Sequence, residues 1–303
     1  MQLSRRAFLK YCGAGAATIG LSTTDLGRLH AALASTGAPE VIWLKGSSCD
    51  GCSISLLNRI AEDGPATVAD VLLNNIDLTF HTNLMTFAGE SAVAVMERAY
   101  AKGNYVLVVE GGIPTAFGGH ACISYSYKGQ EVTFQECVLK YAQRASHIIC
   151  AGTCASWGGI PKSGSNPTQV KGVKELTGRT TVNISGCPAN PDWIIWPIVQ
   201  VLLGNSIPLD SYGRPTALYQ AHNYIHKKCP RKERDETYNF GLDNRCLKKL
   251  GCRGEETKSN CENNWNGIAG QGNWCIGVNA PCHGCVEPTF PGPRSFFEEY
   301  DDD

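Results

Sequence analysis

The sequence has little that would direct it to nucleic acid or to a lipid bilayer. Its 27 Lys and Arg residues almost balance its 28 Asp and Glu residues, which leaves a formal net charge of −1. Without an excess of either sign, the chain has no general electrostatic reason to bind nucleic acid or a membrane surface. No segment reaches the roughly eighteen uninterrupted apolar residues of a membrane-spanning helix, so we expect no transmembrane anchor in this chain.

The first 34 residues instead have the pattern of an export signal. The motif Ser-Arg-Arg-Ala-Phe-Leu-Lys at 4–10 precedes a small and apolar run at 11–21, and small residues at 32–34 offer a cleavage site. This pattern predicts a twin-arginine signal peptide over 1–34. Because proteins on that route are exported already folded, a cofactor can be inserted before export. We expect a periplasmic protein that is soluble or held peripherally at the membrane.

Cysteine is the residue in excess, with fifteen in 303 residues. Seven of them lie between His226 and Cys285, in a stretch with Gly-rich turns and few apolar runs. Such a stretch buries too little apolar surface to fold unaided, so we expect disulfides or metal to hold it together. An oxidising compartment favours disulfides, whereas metal inserted before export would already occupy the thiols.

Residues 40–204 alternate short β-rich runs with helical patterns, which is typical of a parallel sheet covered by helices. The predicted strands lie at 41–45, within 69–80, and at 105–110, 146–151 and 181–185; the predicted helices lie at 89–102, 131–145 and 190–203. A helix after the first strand has four apolar residues on one side, namely Ile54, Leu56, Leu57 and Ile60. Beyond residue 204 no periodic pattern persists, which predicts a small irregular domain.

Four cysteines follow predicted strands: Cys49 and Cys52 follow the first strand, and Cys154 and Cys187 follow the last two. Ligands of open α/β sheets bind at the carboxyl ends of the strands, so we expect these thiols at one rim. Cys-x-x-Cys pairs such as Cys49 and Cys52 suit zinc knuckles as well as iron–sulfur clusters. Spacing alone therefore leaves iron–sulfur, zinc and disulfide alternatives open.

Longer motifs run through both halves of the chain. In the first half they are Cys49-Asp-Gly-Cys52, Val109-Glu-Gly-Gly-Ile-Pro114, Gly152-Thr-Cys-Ala-Ser-Trp-Gly-Gly159 and Gly186-Cys187-Pro188. In the second half they are Ile225-His226-x-x-Cys229, Gly251-Cys252-Arg-Gly254, Trp265-Asn266 onward and Cys282-x-x-Cys285-x-Glu-Pro288. Together these motifs resemble the small subunit of the nickel-iron hydrogenases over nearly the whole chain. The resemblance implies an α/β protein with a flavodoxin-like parallel-sheet domain at 35–205 and a small, irregular iron–sulfur cluster domain at 206–303.

The resemblance further implies the electron-transfer subunit of a periplasmic hydrogenase, an oxidoreductase that interconverts H2 with protons and electrons. In this family the nickel-iron site that cleaves hydrogen lies in a separate large subunit, so no catalytic residue is expected in this chain. A multihaem c-type cytochrome is the expected electron partner. A free-standing multicluster electron carrier and a zinc-stabilised binding module are the alternatives.

Matching positions assign ligands to three [4Fe-4S] clusters. The proximal set is Cys49, Cys52, Cys154 and Cys187; the distal set is His226, Cys229, Cys246 and Cys252; the medial set is Cys261, Cys275, Cys282 and Cys285. Cys12, Cys122, Cys137 and Cys150 are left over. Of these, Cys137 and Cys150 are expected to be small buried apolar residues.

Departures from the family pattern refine these expectations. Many members have a proline and a three-iron cluster where this chain has Cys275, so a fourth thiolate predicts a four-iron medial cluster. The nickel-iron-selenium branch, which this stretch closely resembles, has such a cluster; if Cys275 is a spare thiol, the medial cluster is [3Fe-4S]. Oxygen-tolerant relatives carry two further cysteines where this chain has Gly51 and Gly159, so an ordinary proximal cubane is expected. Glu110 is expected to organise its loop rather than to donate protons.

Overall fold

The computed structural model describes residues 40–60, 67–74, 76–220, 222–241, 244–262, 274–292 and 296–299. The predicted signal peptide at 1–34 and the motif that begins at Trp265 lie outside these residues. Within the described ranges, no helix has the length and apolar character needed to cross a bilayer.

The described residues form seven strands, five of which build one parallel sheet. The strands are β1 (Glu40–Lys45), β2 (Asp77–His81), β3 (Tyr105–Glu110), β4 (Ile123–Tyr127), β5 (Gln130–Thr133), β6 (Ala145–Ala151) and β7 (Val182–Ile184). The sheet has the order β2-β1-β3-β6-β7, and every neighbouring pair is parallel. When only the sheet strands are numbered, this is the order 2-1-3-4-5 of flavodoxin-like folds, which confirms the predicted fold class.

The described residues also contain seven α-helices. They are α1 (Gly51–Leu57), α2 (Val68–Asn74), α3 (Gly89–Lys102), α4 (Phe134–Arg144), α5 (Thr153–Trp157), α6 (Val173–Thr177) and α7 (Pro191–Leu202). Helix α7 begins after Asn190, whose side-chain oxygen accepts hydrogen bonds from the backbone N–H groups of Asp192 and Trp193 at 2.9 and 3.4 Å. The helices predicted at 89–102 and 190–203 are therefore confirmed to within one residue.

The helix predicted at 131–145 is wrong in its first turn. Strands β4 and β5 pair as an antiparallel hairpin, and α4 begins only at Phe134. Thr133 Oγ1 accepts a hydrogen bond from the Glu136 backbone N–H at 3.1 Å, and the Glu136 carboxylate accepts one from the Thr133 backbone N–H at 2.9 Å. This reciprocal pair fixes the start of the helix. In the segment 69–80 the strand likewise begins only at Asp77, because 68–74 form α2.

Helix α1 buries less of its apolar side than the sequence predicts. Leu56 is only 5% exposed, whereas Ile54, Leu57 and Ile60 are 51%, 41% and 48% exposed. The helix ends at Leu57, so Ile60 does not belong to it. An apolar surface therefore lies beside the first pair of cysteines.

The sheet is buried on both faces, and the C-terminal part packs onto one of them. Strand β3 has no exposed residue from Tyr105 to Glu110, as the centre of a parallel sheet requires. One face packs against α1, α2 and α7, and the other packs against α3 and α4. Beyond α7 the described residues form turns and two short 3-10 helices, Ile225–Lys228 and Lys248–Leu250. Val286 joins the core of the first face, which connects this irregular part to the sheet.

Candidate metal centres

The proximal set converges at the carboxyl ends of three strands. Cys49 and Cys52 lie between β1 and α1, Cys154 lies in α5 after β6, and Cys187 follows β7. Burial raises the pKa of Cys52 well above its ordinary value, raises that of Cys154 to about 12, and raises that of Cys187. Neighbouring thiols of the set, including Cys49, raise these values further, so the four sulfurs lie near one another.

The distal set surrounds a small cavity in the irregular C-terminal part. His226, Cys229, Cys246 and Cys252 line this cavity together. Burial is the main cause of the raised pKa of Cys229 and Cys252, and the thiol of Cys246 adds to it in both cases. His226 Nε2 lies 3.7 Å from a carboxylate oxygen of Glu255, which places an acceptor beside the ring.

The medial set lies between the other two. Burial raises the pKa of Cys261 to about 11 and also raises the pKa of Cys282 and Cys285. The thiols of the other three members all act on Cys285, which places them around it. Cys275 is an exposed residue, yet its sulfur is among those that act on Cys261 and Cys285. The structure therefore places the members of each predicted set near one another, and their assignment as cluster ligands stays a prediction.

Hydrogen bonds connect the three sets in series. The hydroxyl of Thr153, the residue before the proximal ligand Cys154, donates to the carbonyl of the medial ligand Cys285 at 2.5 Å, and the backbone of Cys187 lies near enough to offset part of the rise that burial causes in the pKa of Cys285. The backbone N–H of Cys282, in the medial set, donates to the Sγ of Cys252, in the distal set, at 3.3 Å. Hydrogen bonds to sulfur stabilise negative charge there. The medial set is therefore in direct contact with both others.

The buried thiols of each set cannot all ionise without a compensating cation. Metal is bound by the thiolate rather than the thiol, and both burial and like charges oppose thiolate formation. A cation in contact with the sulfurs reverses this balance and deprotonates a coordinating thiol outright. The donor chemistry of the three sets therefore fits a metal-containing group.

Beside the proximal sulfurs the backbone carries glycines, which have no side chain. A Cβ at Gly152 would lie 2.5 Å from the Cys52 Sγ, and one at Gly159 would lie 2.9 Å from the Cys154 Sγ. Both glycines also have a positive φ, of 90° and 50°, that L side chains rarely adopt. This cradle fits a bulky group, such as a cluster, against the sulfurs. It also leaves no room for the additional cysteine that oxygen-tolerant relatives have at the position of Gly159.

Glu110 holds the loop between β1 and α1. One carboxylate oxygen accepts hydrogen bonds from the Ser48 hydroxyl and from the backbone N–H groups of Cys52 and Ser53, at 3.0 to 3.3 Å. The other accepts from the Trp43 indole N–H at 3.1 Å and from the Ser53 hydroxyl at 2.5 Å. These five donors hold a side chain that is only 1% exposed, which confirms its predicted role in organising the loop.

Behind this carboxylate, His81 is held as a neutral ring. Its Nδ1 accepts a hydrogen bond from the Asn83 backbone N–H at 3.1 Å, so the ring proton lies on Nε2, which donates to the Ser53 hydroxyl at 3.2 Å. The Ser53 proton then points to Glu110. Burial, with the Lys45 charge nearby, lowers the pKa of His81 to about 4. The network therefore leaves Glu110 as an acceptor only.

The remaining described cysteines lie outside these sets. Cys137 and Cys150 are fully buried in the core, and burial raises the pKa of both to about 12, as expected of small apolar residues. None of the described cysteines forms a disulfide. In the same ranges, no three His, Cys, Asp or Glu side chains converge as closely as a single metal ion requires. A group with several metal atoms does not need that convergence.

Comparisons with known proteins agree with this architecture. A family model described as NADH ubiquinone oxidoreductase, 20 Kd subunit, matches residues 49–201, and a model for the C-terminal part of the NiFe/NiFeSe hydrogenase small subunit matches residues 221–298. The chain is 37% identical to the periplasmic [NiFeSe] hydrogenase small subunit of Desulfomicrobium baculatum, over 98% of this chain and 99% of that one. It is 36% identical to the periplasmic [NiFe] hydrogenase small subunit of Solidesulfovibrio fructosivorans, over 95% of this chain and 90% of that one.

The fold is similar to that of a solved hydrogenase. The structure of the recombinant [NiFeSe] hydrogenase from Desulfovibrio vulgaris Hildenborough matches 88% of this chain and 99% of its own, with a TM-score of 0.78 and 34% identity. The flavodoxin-like sheet, the cysteine-rich segment and these matches together place the chain among metal-binding subunits of oxidoreductases. The chain belongs to the small subunits of the nickel-iron and nickel-iron-selenium hydrogenases. Such proteins carry iron–sulfur clusters and pair with a large subunit.

The sequence did not point to the polar residues that surround the sets. Ser53 and His81 complete the Glu110 network, while Thr153 and Ser185 bond to the segment around Cys285. A hydroxyl or imidazole in such a role has no characteristic spacing in the sequence. The one available signal was a small polar residue directly beside a ligand cysteine.

Replacing Gly152 with alanine should remove the cofactor from the proximal set. The new Cβ would overlap the Cys52 sulfur, so purified protein should contain less iron and less acid-labile sulfide than the unaltered protein. Gly178→Ala is a matched control, because Gly178 also has a positive φ but its Cβ would meet nothing within 4 Å. Equal iron loss in both variants, or no loss in either, would contradict this assignment.

Proposed function

We propose that this chain relays electrons out of a hydrogenase through three [4Fe-4S] clusters, one held by each set. The observation that carries the proposal is the series of contacts: residues beside the proximal ligands are hydrogen bonded to the backbone at 285–286, and the medial ligand Cys282 is hydrogen bonded to the distal ligand Cys252. When bound, the clusters would supply one-electron carriers at three successive positions. The residues of this chain hold these positions, shield them from water and fix their order.

The distal set is the proposed exit for electrons. Its His226 replaces a thiolate with a neutral imidazole, which removes one negative charge and raises the reduction potential there. Glu255 is placed to orient the ring, as carboxylates commonly do for metal-bound imidazoles. Exposed lysines lie close by in the sequence, among them Lys227, Lys228 and Lys232. Exposed acids such as Glu233 and Asp235 lie among them, so the surface carries charges of both signs. We propose that its lysines steer an electron acceptor, a multihaem c-type cytochrome, to the distal set.

The proximal rim is proposed as the surface against which the large subunit packs. Cys49 and Cys187 are exposed in this chain alone. Ile54 and Leu57, on the adjacent helix α1, add exposed apolar surface. Ligand sulfurs and apolar side chains that are exposed side by side favour an interface with a partner. The nickel-iron site would lie across this interface, so no residue of this chain would cleave hydrogen.

The proposed location is the periplasm, reached in the folded state by the twin-arginine route. Two observations support it: the motif at 4–10, and the periplasmic names of the relatives from Desulfomicrobium baculatum and Solidesulfovibrio fructosivorans. After removal of residues 1–34, the mature protein would consist of a flavodoxin-like domain at 35–205 and a cluster domain at 206–303. It would be soluble or held peripherally at the membrane.

Anaerobic purification from the native host distinguishes this function from that of a free-standing electron carrier. We expect a brown complex with a larger, nickel-containing chain that reduces a viologen dye with H2. The complex should also reduce a multihaem c-type cytochrome, at a rate that falls as salt is added, because salt screens the attraction between the exposed lysines and the cytochrome. Purification of this chain alone, without a nickel-containing partner, would favour the free carrier. A colourless protein would contradict the clusters.

Cys275→Ala tests the type of the medial cluster. Without its fourth thiolate the cluster should lose one iron, so the oxidised variant should show the paramagnetic signal of a three-iron cluster. Cys122→Ala removes a thiol outside the three sets and should leave the spectrum unchanged. A three-iron signal in the oxidised, unaltered protein would show that Cys275 is a spare thiol and that the medial cluster is [3Fe-4S].

A further inference from the structure

The buried Thr153 hydroxyl joins the proximal ligands to the medial ligands. Its oxygen accepts a hydrogen bond from the Gly186 backbone N–H at 2.9 Å. Its one proton faces two carbonyls, that of Gly186 at 3.3 Å and that of Cys285 at 2.5 Å, and the second is much the shorter contact. The proton therefore goes to Cys285, a medial ligand. Thr153 directly precedes Cys154, a proximal ligand. Its hydroxyl therefore links the backbone of the proximal set to that of the medial set.

Ser185 makes a similar connection to Val286, the residue that follows Cys285. It lies two residues before Cys187, and its Oγ donates to the Val286 carbonyl at 2.8 Å. The Arg214 guanidinium, on a side chain that is itself buried, donates to the same carbonyl at 3.2 Å. The Ser185 carbonyl is in turn fixed by the Tyr219 hydroxyl at 2.7 Å. The carbonyls of Cys285 and Val286 are therefore held by two side chains from the sheet part of the chain, Thr153 and Ser185.

The two hydroxyls lie away from water, and so does Val286. Thr153 and Ser185 are both 0% exposed, and Val286 is 2% exposed. Without the Thr153 hydroxyl the Cys285 carbonyl would lose its short hydrogen bond, and without the Ser185 hydroxyl the Val286 carbonyl would keep only the longer one from Arg214. The segment at 285–286 would therefore shift to find another donor, and the Cys285 sulfur would move with it.

We propose that Thr153 and Ser185 are positioning residues that set the separation of the proximal and medial ligand sets. The inference rests on the proposed function, because it concerns how fast an electron passes between those two positions. In that step one electron leaves the proximal position, which is oxidised, and reduces the medial position; no bond and no proton changes. The two hydrogen bonds hold 285–286 toward the proximal set, so their loss would let Cys285 move away from it. Tunnelling rates fall exponentially with distance, so a small shift in that direction would slow the transfer.

Thr153→Val and Thr153→Ser separate the hydroxyl from the shape of the side chain, since valine keeps the shape and serine keeps the hydroxyl. Both variants, in the complete anaerobic heterodimer, should retain the iron content and the H2/D2 exchange activity of the unaltered enzyme. In Thr153→Val, the magnetic splitting between the reduced proximal and medial clusters should shrink, and H2-dependent dye reduction should slow severalfold. Thr153→Ser should restore both. Ser185→Ala should act in the same direction as Thr153→Val.

Unchanged splitting and an unchanged dye rate in both Thr153→Val and Ser185→Ala would overturn the proposal. Loss of iron from either variant would also overturn it, because the hydroxyls would then be needed to retain the clusters rather than to set their separation. An unaltered heterodimer without any iron–sulfur signal would instead overturn the proposed function. The two failures are therefore distinguishable.

Discussion

The burial of thiols in groups of three or four is the constraint on which the rest of the structure depends. The buried sulfurs of such a group lose hydration and lie near other sulfurs, and both effects raise their pKa, as for Cys52, Cys154 and Cys282. Cys285 is the extreme case, since burial and the three other thiols of its set all raise its pKa. A cation shared by the sulfurs removes this cost, and the surrounding backbone is arranged to admit a group that carries one.

The two halves of the chain meet this constraint differently. In the first half a sheet buried on both faces holds the cysteines at its carboxyl edge, and Glu110 fixes the loop of Cys52 with five hydrogen bonds. In the second half the described residues form a separate apolar cluster of four buried members, Ile225, Trp274, Ile276 and Cys282. So small a core gives little stability of its own. The C-terminal part therefore depends on what its cysteines bind and on its bonds to the sheet domain.

Patterns that are local in sequence predicted much of this molecule. The strands at 105–110 and 146–151 and the helix at 89–102 have strong apolar patterns, and they occur where those patterns place them. The cysteines at the strand ends meet because parallel strands end at one edge. The start of α4 was missed because the capping pair of Thr133 and Glu136 overrides a helical pattern that extends further back.

Other features depend on contacts that a single sequence does not encode. An apolar stripe on α1 has the same sequence pattern whether it faces the core or a partner protein. The exposure of Ile54 and Leu57 could therefore not be predicted. Thr153 and Ser185 join segments that are about a hundred residues or more away in sequence. Neither residue belongs to a metal-ligand spacing, so only the folded structure reveals what they connect.

Mössbauer spectroscopy of the heterodimer enriched in 57Fe tests the central claim most directly, because it counts iron by cluster type. Apart from the iron of the nickel-iron site, the oxidised protein should contain only the signals of [4Fe-4S] clusters, in an amount that corresponds to three per heterodimer. A smaller number of clusters, or iron bound as single thiolate-ligated ions, would contradict the assignment of all three sets.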